Sequence, residues 1–141
     1  MDLDQAVSMF VAGVGFRRAT DADEIVALVH QALDAVGIGA DRLRALATAS
    51  DKADDEALRR AADLFGVVVI AVAEPDLVAV DARVPTRSAR IEASRGIGSL
   101  AEAAALAAVG EGGRLVLPRI ASAGATCALA LPSVCGQSPT P

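Results

Sequence analysis

Aromatic side chains are nearly absent from this chain of 141 residues, which has three phenylalanines and no tryptophan or tyrosine. Hydrophobic residues nevertheless make up 53% of the sequence, so alanine, valine and leucine must fill the interior. Small aliphatic side chains favour close packing of helices on a sheet over a cavity lined with aromatic rings. A chain of this length forms one domain with a real core.

Basic residues, cysteines and long apolar runs are also scarce. The net charge of −5 argues against a nucleic-acid partner, because phosphate binding needs a basic face. Cys127 and Cys135 lack metal or redox spacing, so we expect no metal site, no cofactor and a reducing, cytoplasmic setting. The apolar run at residues 6–15 is shorter than a membrane span of about 20 residues and follows acidic residues, so we expect neither a membrane segment nor a signal peptide.

The apolar runs that remain predict an alternation of strands and helices. We predict strands at residues 6–13, 43–49, 67–72, 115–119 and 125–131, and helices at residues 21–36, 54–65, 74–80 and 100–109. Too few residues separate the last two strands for a helical crossover, so this pair should be antiparallel. The order predicts an α/β fold, a three-layer α/β/α sandwich around a mostly parallel mixed sheet of about five strands. Residues 1–132 form one domain in this interpretation, and residues 133–141 form a disordered tail containing proline and serine.

Ligands of such sheets bind at the carboxyl ends of the strands, which directs attention to three loops. The first, at residues 13–20, contains Gly13 and Gly15, with Thr20 predicted to cap the next helix. It lacks the third glycine of a dinucleotide fingerprint, so we discount that interpretation. The second loop spans residues 48–54 and includes Thr48, and the third precedes the helix at 100–109.

The segment GSLAEAAA (98–105) reads as a glycine loop entering a helix. Ser99 is a good N-cap, and Glu102 stands where its carboxylate can reach back to the Ser99 amide in a capping box. The amides from Gly98 onward, together with the helix dipole, make an anion site. The alternative is a capped helix that binds nothing, since a short glycine pattern is weak evidence.

Lys52 is the only lysine among thirteen basic residues and directly follows a strand. It either binds a ligand or forms an exposed ion pair with a neighbouring aspartate. Arg17 and Arg18 are either surface charges or partners of ligand carboxylates. His30 is predicted to be a surface residue and Cys127 a small core residue.

Four blocks occur in an order that resembles the CobE/CbiG C-terminal domain family of cobalamin biosynthesis: AGVGFRR (12–18), AT with DKAD (47–48, 51–54), GSLAEAAA (98–105) and GATCA (124–128). Two positions depart from the family pattern, Arg119 where a lysine is expected and Phe16 where many members carry cysteine. Longer members are similar to cobalt-precorrin-5A hydrolases and carry a region in front of this domain. The resemblance therefore implies a short, free-standing CobE-type member.

The resemblance implies a carboxylate-rich tetrapyrrole (precorrin or corrin) intermediate as the ligand, and the predicted ligand-binding residues are Gly13, Gly15, Phe16, Arg17, Arg18, Thr48, Lys52, Gly98, Ser99 and Glu102. One alternative is a hydrolase that opens a lactone and releases acetaldehyde, with Lys52 and Asp51 as its acid and base. Another is a structural partner of other cobalamin-biosynthesis enzymes. The anion-binding groups without a nucleophile–base pair favour the binding role.

Overall fold

The computed structural model describes residues 9–17, 19–86 and 98–132. Arg18, the loop with Gly96 and the predicted disordered tail at 133–141 lie outside these ranges. In chain order the elements are β1 (Phe10–Phe16), α1 (Ala22–Ala35), a 3-10 turn (Ala40–Arg42), β2 (Leu43–Ala49), α2 (Glu56–Phe65), β3 (Val68–Val72), α3 (Glu74–Ala79), a second 3-10 turn (Asp81–Arg83), α4 (Leu100–Val109), β4 (Arg114–Ala121) and β5 (Ala125–Leu131).

The five strands form one mixed sheet in the order β3-β2-β1-β5-β4. The β1–β2 and β2–β3 pairings are parallel, whereas β5 is antiparallel to both β1 and β4. The predicted α/β class, the mixed sheet and the antiparallel final pair are therefore confirmed. The parallel pairings all lie on the β3 side of the sheet.

Helices cover both faces of the sheet because the side chains of β1 alternate between them. One face of β1 carries every second side chain from Phe10 to Phe16. These side chains pack in one core with α1 and α2. The other face carries Val11 and two glycines and lies under α4, whose Leu100 and Leu106 share a second core with Leu77 of α3. The three predicted layers follow from this alternation.

Gly13 and Gly15 lie inside β1, so the end of the strand predicted at residues 6–13 and the start of the loop predicted at residues 13–20 are wrong. Gly13 pairs with Ala47 of β2 and Ala128 of β5, and the strand continues to Phe16. The missing side chain of Gly13 admits α4, because a Cβ on Gly13 would lie 1.9 Å from the carbonyl oxygen of Ala101 and 2.7 Å from the amide nitrogen of Ala105. A glycine signals a close approach of this kind as well as it signals a loop.

The predicted helices are confirmed, and none of their bounds is shifted by more than two residues. Asp21, not Thr20, is the N-cap of α1, and the Thr20 hydroxyl instead donates to the carbonyl of Gly124. The cap prediction failed because this acceptor comes from the distant β4–β5 turn. Asp55 caps α2 by accepting from the amide of Ala57, and Gly66 ends it with φ of +72°.

Substituting Gly13 by alanine should displace α4 from the sheet, because backbone atoms of the helix occupy the space of the new methyl group. We expect the free energy of unfolding in urea to fall by about 3 kcal/mol or more. The control is Gly39→Ala, where the new methyl meets only the end of the Asp41 side chain, and a change within about 0.5 kcal/mol is expected. Equal stability of the two variants would contradict the close contact between α4 and β1.

Candidate functional site

Four strand ends and one helix start meet at one edge of the sheet. The parallel strands β1, β2 and β3 end there, and so does β4, which runs in the same direction because both it and β1 are antiparallel to β5. Leu100, the first residue of α4, lies beside Gly15 near the end of β1. The structure therefore brings the turns after β1 and β2 and the start of α4 to one carboxyl edge.

Lys52 lies over the end of β1. Its ammonium donates a 2.9 Å hydrogen bond to the carbonyl of Phe16 and stands 4.7 Å from the centroid of the Phe16 ring. The backbone holds Lys52 in a turn, in which its amide donates to the Ala49 carbonyl. An ammonium has three N–H donors, so this half-buried group can bind an anion without losing its Phe16 contact.

Thr48 supports this arrangement from inside the fold. It is fully buried, and its hydroxyl donates a 2.7 Å hydrogen bond to the carbonyl of Val14. The bond connects the end of β2 to the end of β1, and Lys52 follows β2 in the chain. The Thr48 hydroxyl proton is therefore used inside the sheet. The predicted contact of Thr48 with a ligand stays a prediction.

The structure confirms only part of what was predicted for the start of α4. The Ser99 hydroxyl accepts from the amide of Glu102 at 3.4 Å, which confirms the N-cap. The amide of Gly98, predicted to bind ligand, donates instead to a carboxylate oxygen of Asp81 at 2.8 Å. A carboxylate of the protein thus already occupies part of this helix N-terminus, as the helix dipole favours.

The carboxylate of Glu102 does not complete the predicted capping box. It is fully buried, and it accepts hydrogen bonds from the Thr86 amide at 2.9 Å, the Thr86 hydroxyl at 2.8 Å and the Arg119 amide at 2.8 Å. The β4–β5 register shifts between Leu117 and Ile120, and the Arg119 amide turns to Glu102 within that interval. Three donors outweigh the single Ser99 amide for a buried charge.

A second carboxylate, that of Glu24 in the first turn of α1, binds the β4–β5 turn. Its Oε2 accepts from the Gly124 amide at 2.6 Å and from the Ser122 hydroxyl. The Gly124 carbonyl in turn accepts from the Arg17 amide at 2.9 Å and from the Thr20 hydroxyl at 3.0 Å. These bonds join the end of β1 to the start of β5.

Sequence reasoning missed Glu24, Ser122, Asp81 and Thr86. Each binds a group that is distant along the chain, by 98 residues for Ser122 and Glu24, so no local pattern marks the pair. The only related signals in the sequence are the acidic residues at the start of α1 and the glycine before β5.

The remaining predicted residues lie where expected or outside the site. Arg17 is exposed. His30 is exposed and its ring lies 4.9 Å from that of Phe65, away from the carboxyl edge. Cys127 is a buried core residue, and burial raises the pKa of its thiol to about 12.

In the described ranges no cluster of three or more histidine, cysteine or acidic residues could hold a metal ion. None of the helices there has the length and hydrophobicity to cross a bilayer.

Replacing Glu102 by glutamine should destabilise the fold. The new amide group would place N–H donors against the donors of Thr86 and Arg119, leaving buried groups unpaired. We expect the free energy of unfolding to fall by about 1–3 kcal/mol, measured in urea. Glu56→Gln, at an exposed position of α2, is the matched control. A variant as stable as the control would show that the Glu102 contacts contribute nothing.

Acid should weaken the fold through Glu24. Hydrogen bonds from Ser122 and Gly124 lower its pKa below the ordinary value of 4.5, against a smaller opposing effect of burial. A depressed folded-state pKa gives stability that is present above pH 4.5 and is lost as the pH falls through the lowered pKa. The stability difference between wild type and Glu24→Gln should therefore be greatest near neutral pH and shrink in acid, measured as urea midpoints. A difference independent of pH would contradict this assignment.

Comparison with known proteins shows the family of the chain. The family model described as "Cobalamin synthesis G C-terminus" matches residues 10–130. Protein CobE of a Sinorhizobium species is 35% identical over 123 residues, which cover 87% of this chain and 80% of that protein.

Two solved structures are also similar. The crystal structure of CobE, a protein from the cobalamin (vitamin B12) biosynthetic pathway, is 34% identical with a TM-score of 0.83 and covers 88% of this chain and 90% of that one. The cobalamin biosynthesis protein chiG from Agrobacterium tumefaciens str. C58 is 39% identical with a TM-score of 0.70, over 89% and 99% of the two chains. The chain therefore belongs to the cobalamin synthesis G C-terminal family, as a cobalamin biosynthesis protein of the CobE/CbiG type.

Proposed function

We propose that this protein binds a carboxylate-rich tetrapyrrole intermediate, a precorrin or corrin, at the carboxyl edge of its sheet. The observation that carries the proposal is the half-buried ammonium of Lys52, held by the Phe16 carbonyl at the end of β1. Such ligands are ringed with acetate and propionate groups, and a fixed ammonium is a suitable partner for a carboxylate. Arg17 adds a second cation next to Phe16 in the chain.

The charges of the edge support binding by contact rather than by long-range attraction. The net charge of −5 opposes the approach of a polyanion. Glu24, Glu102 and Asp81 nevertheless have their carboxylates hydrogen-bonded to backbone amides within the fold. The cations of the edge are thereby left as partners for the ligand, and each desolvated, charge-assisted contact contributes about 1.5–3 kcal/mol.

Another concave surface suits this ligand less well. An open groove of about 380 Å³ separates the starts of α1 and α2 and is lined by Asp21, Ala22, Asp23, Glu56, Ala57 and Arg60. Three carboxylates against one guanidinium would repel a polyanion. We therefore place the ligand over Lys52 and not in this groove.

The hydrolase alternative uses the same edge. Asp51 would accept a proton from the water that attacks the lactone carbonyl, and Lys52 would donate one to the alkoxide released when the acyl C–O bond breaks. Cleavage of a C–C bond at the resulting alcohol would then release acetaldehyde. Asp51 is exposed and makes interactions of its own in the fold. The contacts of Lys52 with Phe16 support a binding ammonium more directly than an acid–base pair, so binding is the first proposal.

Titration with hydrogenobyrinic acid, followed by the visible spectrum of the ligand, tests the proposal. We expect saturable binding to wild type and a Kd raised about tenfold or more in Lys52→Gln, from the loss of one charge-assisted contact. The control is Arg44→Gln, which removes one positive charge at an exposed position near the start of β2, and it should bind like wild type.

No spectral change with wild type at about tens of micromolar ligand would contradict the proposal. Equal affinities of Lys52→Gln and Arg44→Gln would contradict the role of Lys52. Release of acetaldehyde from a lactone-bearing precorrin, abolished in Lys52→Gln, would favour the hydrolase instead.

A further inference from the structure

The turn that follows β1 contains a strained alanine. Ala19 has φ of +74°, which no other non-glycine residue in the described ranges shares. The Thr20 amide donates to the Arg17 carbonyl at 3.1 Å and closes the turn. The left-handed region costs an L-residue about 1–2 kcal/mol, and alanine has no polar side chain to offset it. Such a conformation persists only where neighbouring groups hold it.

The carbonyl of Gly124 is the group that holds this turn. It accepts from the Arg17 amide at the start and from the Thr20 hydroxyl at the end. The approach is close, because a Cβ on Gly124 would lie 2.7 Å from the Thr20 hydroxyl oxygen and would have to displace this hydroxyl. Gly124 is itself fixed through its amide by Glu24, which also binds Ser122.

One peptide group connects this network to Lys52. The peptide between Phe16 and Arg17 donates its N–H to the Gly124 carbonyl and accepts from the Lys52 ammonium at its own carbonyl. Its two ends are therefore held from opposite sides. A shift of Gly124 would rotate this peptide and with it the carbonyl that orients Lys52.

We propose that Glu24 is a positioning residue of the ligand site, which fixes Gly124 and through it the strained turn, the Phe16–Arg17 peptide and the Lys52 ammonium. The inference rests on the proposed function, because it concerns the affinity for the same tetrapyrrole ligand. Without the Glu24 carboxylate the Gly124 amide loses its acceptor, and Ala19 can relax out of the left-handed region. The apparent Kd then rises in proportion as the binding-competent fraction falls.

The experiment compares Glu24→Ala, Glu24→Gln and the control Glu111→Ala, an exposed carboxylate in the turn after α4 at the opposite edge of the sheet. Two quantities are measured: amide hydrogen exchange of Arg17 and Gly124, and the Kd for hydrogenobyrinic acid. In Glu24→Ala we expect faster exchange at both amides and a Kd raised about tenfold, as for a competent fraction of about one tenth. Glu24→Gln keeps an acceptor for Gly124 and should restore most of both values, while Glu111→Ala should match wild type.

Faster exchange in Glu24→Ala with an unchanged Kd would overturn the inference, because the turn would then be structural only. Unchanged exchange would overturn it as well, since Glu24 would not hold the turn. Failure of wild type to bind the probe overturns the proposed function and the ligand half of this inference. The exchange rates still decide in that case whether Glu24 holds the turn, so the two failures are distinguishable.

Discussion

The contact of α4 with the glycine face of β1 determines where the other parts of the site lie. Ala101 and Ala105 rest on Gly13, with no space for a methyl group between them. This close approach sets the start of α4 beside the end of β1, at the edge where Lys52 stands. The scarcity of aromatic residues and the abundance of alanine allow the same close approach, because α4 is buried from Leu100 to Leu106.

Two carboxylates then connect this edge to distant segments. Glu102 joins α4 to Thr86 and to the irregular part of β4, and Glu24 joins α1 to the β4–β5 turn. Both use carboxylate oxygens to satisfy backbone amides that the sheet and helices leave unpaired. The carboxylates of Glu24 and Glu102 are thus engaged within the fold, although they lie near the edge where Lys52 and Arg17 stand.

Local sequence patterns were sufficient for most of the elements. The bounds of β2, β5 and α4 agree with the prediction, since apolar runs and the Ser99 cap mark them directly. The position of Lys52, the only lysine, directly after a strand also indicates the ammonium that lies over the end of β1. These features depend on neighbours in the chain, which is why a single sequence reveals them.

The errors share one cause, which is a partner far along the chain. The sequence around Gly13 predicts a loop, because the helix that needs its missing side chain comes much later in the sequence. Local patterns predict caps for Thr20 and Glu102, but Gly124 and Arg119 offer them better partners. The contact of Lys52 with Phe16 spans 36 residues and no spacing rule predicts it.

We propose that a carboxylate-rich tetrapyrrole binds over Lys52 at the carboxyl edge. Mapping chemical-shift changes on isotope-labelled protein during addition of hydrogenobyrinic acid tests it most directly. We expect the largest changes at the amides of Phe16 and Arg17 and at the Lys52 side chain. Changes centred on the acidic groove of α1 and α2, or none at any concentration that dissolves the ligand, would contradict it.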